Sequence, residues 1–316
     1  MGMNKKVLEY FTDLDKLNLK KENNTFIFSD PQIIRKTSVH QNINSVDYFQ
    51  IGKTYAFVKN WDGVHSVFDI ASTQMYNTLD IPSPPIYIIS DPNKKPTYHH
   101  FGQFYTLTED IYNIPHFHCA TRVYDCKEYQ SATKQIFHLS DKWAILLNSN
   151  LRSSLLEFMT KKCYDDLINL YLIDTLRAEG DRHQKNFFLY KSKGSSKFTG
   201  IIAIDNAMGN ICKYIDYPFE NFLHDTYVSI TPFNGMDNAS HTARMRTIRE
   251  FISQGELDDS QILILRLALN HNFPEDIRNV CKKYNITEVQ ARKDLYDHVS
   301  RLWEYNRNLL SDELGM

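Results

Sequence analysis

The sequence predicts an α+β fold in two lobes, with a β-rich N-lobe over residues 1–110 and a mainly helical C-lobe over residues 111–316. Two observations favour this prediction. Between residues 25 and 111, short runs of β-branched and aromatic residues are separated by Asp-Pro, Ile-Gly-Lys and Pro-Pro turns. From about residue 140 onward, apolar residues recur at helical spacing. Because strands and helices fall in separate parts of the chain, two lobes are favoured over an alternating α/β sheet.

The N-lobe is predicted to combine one sheet with two helices. Apolar residues at helical spacing predict an amphipathic helix at 3–20 and a second helix at 64–79. The strands are predicted where β-branched and aromatic residues cluster, at 25–28, 45–49, 54–58, 86–89 and 103–111.

The C-lobe is organised around a long apolar helix predicted at 151–178. Glu179 and Gly180 are expected to end it, since glycine is a common helix stop. Two short strands follow at 187–190 and 201–204, and the polar Lys/Ser/Gly turn between them predicts a β-hairpin. Helices are predicted over most of the remaining chain, at 240–254, 260–270, 274–283 and 287–310.

Composition excludes several classes of protein. Hydrophobic residues make up 42% of the chain and aromatic residues 13%, which predicts a packed core rather than disorder. The formal net charge of -2 indicates neither a nucleic-acid partner nor an anionic membrane surface. Five cysteines, widely spread and without a Cys-x-x-Cys pair, favour a reducing compartment. We therefore expect a soluble, cytoplasmic monomer without a membrane span; export without a cleaved signal peptide stays open.

The most informative stretch runs from residue 174 to residue 205. Asp181 follows the long helix and a glycine, so it is expected on a loop. Asn186 opens the first strand of the hairpin and Asp205 closes the second, and antiparallel pairing brings these two positions to the same end. Two side chains with oxygen atoms that can bind a metal, beside a loop carboxylate, suit phosphoryl transfer from ATP. Asn186 and Asp205 would hold Mg²⁺, and Asp181 would accept the proton of the attacking hydroxyl.

These residues also carry a resemblance. Gly-Asp-Arg-His-Gln-Lys-Asn at 180–186, followed by Ile-Asp at 204–205, resembles the catalytic and metal-binding segments of the HipA-like and phosphoinositide 3/4-kinase-related atypical kinases. In size and order, the chain is similar to the small, HipA-related, cell-translocating serine/threonine kinases of bacteria. The resemblance is specific over about thirty positions, and architectural elsewhere. It departs from many kinases after the metal-binding aspartate, where Asn206-Ala207-Met208-Gly209 replaces Phe-Gly or Phe-Ser.

The resemblance implies a two-lobed protein-kinase-like fold, ATP and Mg²⁺ as cofactors, and a protein substrate, which includes the chain itself if it autophosphorylates. His183 would shape the catalytic loop, and Lys185 would face the transferred phosphate. A solvent-facing lysine is an equally good interpretation of Lys185. Arg182 is expected to tie the loop to a nearby carboxylate.

The N-lobe offers further nucleotide-binding candidates. Lys59 ends the run Tyr-Ala-Phe-Val-Lys, where it could neutralise phosphate charge, although a solvated strand end is the competing interpretation. Asp69 is the acid inside the next helix that could pair with it. The loop at 34–42 lacks glycine, so Ser38 and backbone amides would have to meet the phosphates.

The adenine-binding hinge has two candidate positions. The first is 106–110, where Leu107 and Glu109 would contact the nucleotide, and the second is 120–125. His116, His118 and Cys119 lie close together in sequence, but no second ligand pair follows at zinc-site spacing, so structural histidines are the favoured interpretation.

Three functions compete. The first is a serine/threonine protein kinase. The second is a lipid or small-molecule kinase, because Gly-Asp-Arg-His also occurs in phosphoinositide kinases; the single lysine at 206–235, Lys213, argues against anionic lipid headgroups. The third is a catalytically silent nucleotide-binding interaction module, which the missing glycine loop favours and the Asp181, Asn186 and Asp205 set opposes.

Overall fold

The structure is a computed structural model that describes most of the chain in ten segments. These are residues 7–22, 24–36, 46–61, 63–90, 104–111, 120–134, 149–206, 217–232, 236–290 and 292–316. The chain divides into two compact units. The first comprises Met1–His116 with Phe273–Lys293, and the second comprises Phe117–Asn272 with Asp294–Met316.

The first unit is built on a seven-stranded sheet. Its spatial order is β1-β2-β6-β7-β5-β4-β3, so β7 lies at the centre between β6 and β5. Neighbouring strands are antiparallel except for β2 and β6, which run parallel. The strands are β1 (Lys21–Glu22), β2 (Thr25–Ile27), β3 (Ile33–Lys36), β4 (Val46–Ile51), β5 (Thr54–Trp61), β6 (Ile86–Ser90) and β7 (Phe104–Glu109).

One face of this sheet forms a hydrophobic core. Alternate residues of β4 and β5 point the same way, so Phe49 and Ile51 pack with Ala56 and Val58. The 3-10 helix Leu14–Lys16 adds Leu14 to this cluster. Of the helix predicted at 3–20, Val7 and Leu8 are helical, and the chain has left the helix before Asp13. The Asp13 carboxylate accepts a hydrogen bond from the Asp15 N–H and caps the 3-10 turn that follows.

Two helices pack against each other within the first unit. They are α1 (Gly63–Thr78) and, from far along the chain, α8 (Phe273–Tyr284). The Phe68 and Phe273 rings meet edge to face with their centroids 6.0 Å apart. Residues 273–293, which the sequence assigns to the C-lobe, therefore belong to the first unit. The lobe boundaries at 1–110 and 111–316 stay a prediction.

The second unit is mainly helical. Its strands form a three-stranded sheet, in the order β10-β9-β8, and a two-stranded sheet of β11 and β12. These strands are β8 (Thr121–Arg122), β9 (Phe187–Tyr190), β10 (Gly200–Ala203), β11 (Tyr227–Ile230) and β12 (Met236–Ala239). The helices are α2 (Lys127–Thr133), α3 (Ser149–Phe158), α4 (Lys161–Leu176), α5 (Phe219–His224), α6 (His241–Ser253), α7 (Asp259–Asn270) and α10 (Lys293–Leu314).

Two long helices expected from the sequence are each divided in the structure. The predicted helix at 151–178 is α3 and α4, because the Thr160 side chain accepts a hydrogen bond from the Cys163 N–H and caps a new helix. The segment at 287–310 is likewise a four-residue helix, α9 (Thr287–Gln290), followed by α10. Among the residues that the structure describes, no helix has both the length and the apolar character that a membrane crossing requires.

Candidate active site

The end of α4 delivers the chain into the loop that carries Asp181. Ala178 adopts φ +53°, a left-handed conformation that glycine usually occupies. The Glu179 N–H donates to the Asp174 carbonyl at 2.7 Å and the Ala178 N–H donates to the Thr175 carbonyl at 3.0 Å. These two bonds are the Schellman pattern of a helix end. The helix therefore stops at Leu176, before the predicted Glu179 and Gly180, and the chain turns sharply toward Asp181.

The loop folds around the backbone carbonyl of Asp181. That oxygen accepts hydrogen bonds from the His183 N–H at 2.8 Å and from the Asn186 side-chain amide, Nδ2, at 2.9 Å. The N–H groups of Gly180 and Asp181 both donate to Glu179 Oε1, at 2.9 and 3.0 Å. The backbone is thus held on both sides, while the Asp181 carboxylate remains 33% exposed.

The hairpin brings Asn186 and Asp205 to one end. The last residue pair of the β9–β10 ladder is Phe187 with Ala203. One residue further along, the Ile204 N–H donates to the Asn186 carbonyl at 3.0 Å. Asn186 directly precedes β9, and Asp205 follows β10 by two residues. Asp205 has φ +57°, so the chain turns at this position. The structure therefore brings Asp181, Asn186 and Asp205 into one loop and hairpin assembly within the second unit.

Arg182 lies beneath this assembly with only 1% of its surface exposed. Its Nε and Nη2 donate to the two carboxylate oxygens of Asp174, at 2.9 and 3.2 Å. Nη1 donates to the carbonyls of Asn186 and Ile204, at 2.9 and 2.7 Å, and Nη2 also donates to Asn206 Oδ1 at 2.8 Å. The expectation that Arg182 ties the loop to a carboxylate is confirmed, and Asp174 is that carboxylate.

Glu179 is the second buried acid of the site. Burial raises the pKa of its carboxyl, whereas the guanidinium groups of Arg177 and Arg182 act in the opposite direction. Glu179 Oε2 lies 3.9 Å from Arg177 Nη2, which also donates to the Asn206 carbonyl at 2.9 Å. Arg177 and Arg182 balance the charge of the Glu179 carboxylate. The carboxylate therefore remains an acceptor for the Asp181 N–H.

His183 and Lys185 occupy the exposed side of the loop. The Lys185 N–H donates to His183 Nδ1 at 3.1 Å, so the neutral imidazole carries its proton on Nε2. His183 Nε2 lies 3.9 Å from Asp181 Oδ1, which is beyond hydrogen-bonding distance. The Lys185 ammonium lies 4.7 Å from the centre of the Tyr124 ring, a cation–π distance.

The residues present fit Mg²⁺. Because Asn186 Nδ2 donates to the Asp181 carbonyl, its Oδ1 is the atom of the amide group that is suited to a metal. One amide oxygen and one carboxylate suit Mg²⁺, which takes few protein ligands and completes its shell with phosphate oxygens and water. The described residues contain no group of three or more His, Cys, Asp or Glu arranged to hold a metal ion, so they offer no closed protein cage.

The nucleotide-binding candidates from the N-lobe lie in the first unit where they are described. Lys59 is half-buried on β5, opposite Thr106 of β7 and Val46 of β4. Asp69 is 2% exposed on α1. Ser38 falls outside the described residues, as do His116, His118 and Cys119.

The two halves of the first hinge candidate differ in their hydrogen bonding. Leu107 lies between Val58 of β5 and Tyr87 of β6, so its backbone belongs to ladders on both sides. Pairing with β6 ends at Thr108, and Glu109 pairs with Ala56 of β5 alone. Backbone contact with an adenine edge is therefore better suited to Glu109 than to Leu107. The second hinge candidate, 120–125, contains β8 and a 3-10 turn, and the Tyr124 N–H in that turn donates to the Gln184 carbonyl.

Sequence reasoning missed several residues that support the loop: Asp174, Arg177, Glu179 and Asn206, all 5% exposed or less. One signal could have found two of them. Asp174 and Arg177 interrupt a strongly apolar helix, and charged residues that are buried must be paired. Which residues they pair with could not be read from their spacing.

Comparison with known proteins supports the fold. No protein-family model matches the sequence, and no curated protein matches it. The crystal structure of the Helicobacter pylori proinflammatory kinase CtkA is similar, with a TM-score of 0.53 at 10% identity, over 92% of this chain and 96% of that one. HipA of the Shewanella oneidensis MR-1 toxin–antitoxin system, solved with HipB and operator DNA, has a TM-score of 0.49 at 11% identity, over 98% of this chain and 73% of that one.

At these identities the likeness concerns the fold. The chain has a mixed α+β, two-lobed, protein-kinase-like fold, as predicted. The kinase-like architecture that the resemblance at 180–186 and 204–205 implied is thereby confirmed as a likeness of fold.

Proposed function

We propose that this chain, which has a kinase-like fold, is an ATP- and Mg²⁺-dependent serine/threonine protein kinase that phosphorylates itself as well as another protein. One observation carries the proposal. The Asp181 carbonyl, the Asn186 amide and the backbone at the end of the hairpin form one hydrogen-bonded assembly, with the Asp181 carboxylate partly exposed beside it. Positioned groups of this kind supply most of the catalysis in phosphoryl transfer.

In the proposed reaction, Asp181 accepts the proton of the attacking serine or threonine hydroxyl. The hydroxyl oxygen forms the new bond to the γ-phosphorus as the bond to the β,γ-bridging oxygen breaks, and ADP leaves. His183 shapes the loop through the bond between its ring and the Lys185 N–H. Lys185 is exposed, and its ammonium could turn from the Tyr124 ring toward the transferred phosphoryl group.

Asn186 Oδ1 and the Asp205 carboxylate are the proposed ligands of Mg²⁺, which when bound neutralises negative charge on the phosphates. From the first unit, Lys59 is the proposed phosphate contact and the Glu109 backbone the proposed adenine contact. Leu107 and Ser38 complete the proposed nucleotide-binding set. The assignments of Lys59, Leu107 and Ser38 come from residue type and order, and that of the Glu109 backbone from the end of the pairing with β6.

The hairpin turn supports phosphorylation between two molecules rather than within one. Ser196 is exposed in this turn. Four residues of strand separate the turn from the Asn186 end, which is roughly 13 Å at the rise of a β-strand. A serine in the turn would therefore meet the Asp181 loop of another copy, and we propose Ser192, Ser195 and Ser196 as candidate acceptors, with Thr37 and Ser38 outside the described residues.

The proposal is tested by incubating purified protein with Mg²⁺ and γ-labelled ATP. We expect label on the wild-type protein or on a generic basic protein, and its loss in Asp181→Ala and in Asp205→Ala, by at least a hundredfold since each removes a group used in the reaction. Asp225→Ala, at an exposed position of the same unit, is the matched control and should keep full activity.

Each other outcome rejects part of the proposal. ATP consumption with lipid or small-molecule acceptors, and none with protein, would indicate the second class of kinase. ATP binding without any turnover would indicate an interaction module and would contradict the catalytic roles. Phosphopeptide mapping that places phosphate only outside the five candidate acceptors would contradict the assignment of those acceptors.

A further inference from the structure

Arg182 uses every N–H donor that it has. A guanidinium carries five, and the five hydrogen bonds of Arg182 go to Asp174, which accepts two, and to Asn186, Ile204 and Asn206. All five acceptors must lie close to the plane of the guanidinium, because its N–H donors are fixed in one rigid plane. The positions of its acceptors are consequently fixed relative to one another.

Three of these acceptors lie next to or within the proposed metal ligands. Nη1 bridges the Asn186 and Ile204 carbonyls, so it closes the open end of the hairpin. Nη2 holds Asn206 on the far side of Asp205. Arg182 therefore restrains Asp205 through its two neighbours in the chain, Ile204 and Asn206. It restrains Asn186 directly, through the Asn186 carbonyl.

The backbone of Asp205 makes this restraint necessary. A residue with a side chain at φ +57° is in a left-handed conformation that is less favourable than ordinary backbone, so an unrestrained chain would leave it. Arg177 adds a second restraint, since its Nη2 donates to the Asn206 carbonyl at 2.9 Å. Asn206 is fully buried and is held through both its side chain and its backbone.

We propose that Arg182 is the positioning residue of the metal-binding pair, Asn186 and Asp205. Asp174 balances its charge, and Asn206 accepts one of its hydrogen bonds. In this role Arg182 sets the separation of Asn186 and Asp205 and thereby the affinity for the divalent cation. The proposal rests on the proposed function and deepens it. It differs from a purely structural role because it requires metal affinity to change in a protein that remains folded.

Asn206→Ala is the most informative variant. It removes one of the five acceptors and leaves the Arg182–Asp174 ion pair and both carbonyl contacts in place. Arg182→Lys is the second variant, because lysine keeps the charge and lacks the planar fork. The matched control is Asn306→Ala, which deletes another fully buried amide of the same unit, one that contacts His241 and the Leu176 carbonyl instead of Arg182.

The readout is Mn²⁺ binding, followed by electron paramagnetic resonance in the presence of a non-hydrolysable ATP analogue. We expect the Mn²⁺ dissociation constant to rise about tenfold in Asn206→Ala and further in Arg182→Lys, since residues that orient metal ligands typically contribute ten- to a hundredfold in affinity. Asn306→Ala should bind Mn²⁺ like the wild type. Circular dichroism spectra verify that each variant is folded.

The outcomes separate this inference from the proposed function. If the wild-type complex binds no Mn²⁺, the metal-binding pair itself is rejected. If the wild type binds Mn²⁺ and folded Asn206→Ala binds it equally well, the positioning role is overturned. The role is also overturned if Asn306→Ala weakens Mn²⁺ binding as much as Asn206→Ala does, because the effect would then follow from any buried amide.

Discussion

Four buried charged residues surround the Asp181 loop, namely Asp174, Arg177, Glu179 and Arg182. Two are acids and two are bases, so the group carries no net charge when all four are ionised. The Arg182–Asp174 contact is bidentate, which is the strongest arrangement for such a pair. Removing one partner would leave the other charge buried and uncompensated, which costs about 3–5 kcal/mol. The same residues therefore support stability and the geometry of the loop.

Another buried titratable residue, His241, lies far from this loop in sequence. Its Nε2 lies 2.8 Å from Asn306 Oδ1, and the Asn306 amide donates to the Leu176 carbonyl at the end of α4. Burial lowers the pKa of His241 to about 4, with the Arg244 guanidinium adding to this effect and the Asn306 hydrogen bond opposing it. The imidazole is neutral in the folded protein at neutral pH.

This burial predicts a loss of stability in mild acid. The folded protein binds the His241 proton less tightly than the unfolded chain does, so the free energy of unfolding falls as pH falls from about 6.5 toward 4. The expected contribution is roughly 2 kcal/mol lost between pH 7 and pH 5. Urea unfolding at both pH values should show a smaller difference in His241→Gln than in the wild type. His224→Gln, at an exposed position, is the control and should leave the difference unchanged; equal pH dependence in His241→Gln and the wild type would contradict the assignment.

At the scale of elements, the end of α4 decides where Asp181 lies. The Schellman turn there uses Ala178 in a left-handed conformation, which costs an L-residue with a side chain about 1 kcal/mol relative to glycine. Ala178 is 2% exposed, so the surrounding structure holds it in this conformation. The helix stop is thus made by packing and hydrogen bonds more than by residue preference.

Ala178→Gly is therefore expected to stabilise the protein by about 0.5–1 kcal/mol, because glycine adopts this conformation without strain. The matched control is Ala243→Gly, on the exposed face of α6, where glycine should destabilise by up to about 1 kcal/mol. Denaturant unfolding measures both changes. Destabilisation by both substitutions to a similar extent would show that strain at Ala178 is unimportant.

At the scale of the whole molecule, the chain crosses between its two units three times. It leaves the second unit after Asn272, contributes Phe273–Lys293 to the first unit, and returns at Asp294. Helix α8 buries Phe273, Ile277 and Val280, and it packs on α1. The first unit consequently needs residues that lie more than 150 positions beyond its main segment.

Phe273→Ala should weaken the first unit selectively. Loss of a buried phenylalanine costs about 3–5 kcal/mol, and its edge-to-face contact with Phe68 is lost as well. Hydrogen exchange should accelerate in α1 and leave α6 of the second unit unchanged, because local stability is not uniform across a protein. Leu267→Ala, at a partly exposed position of α7, is the control. Acceleration confined to the second unit would contradict the assignment of α8.

The sequence alone was sufficient where structure depends on neighbours along the chain. The hairpin of β9 and β10 follows from two apolar runs around a polar turn, and it brings Asn186 and Asp205 to one end because antiparallel pairing places the start of one strand beside the end of the other. Asp181 precedes Asn186 by only five residues, so the proximity of the loop to the hairpin also depends on neighbours along the chain. The α+β division followed from the periodicity of apolar residues, whereas the kinase-like fold was an implication of the resemblance at 180–186 and 204–205 to atypical kinases.

Only the tertiary structure decided which distant groups meet. The Arg182 guanidinium reaches Asp174, Ile204 and Asn206, and the choice among many acidic and carbonyl partners depends on packing that no spacing encodes. The left-handed conformation of Ala178 and the packing of residues 273–293 within the first unit have the same origin. In each case long-range burial overrides a local preference, because the free energy of packing an apolar or charged side chain exceeds the few tenths of a kcal/mol by which residues differ in propensity.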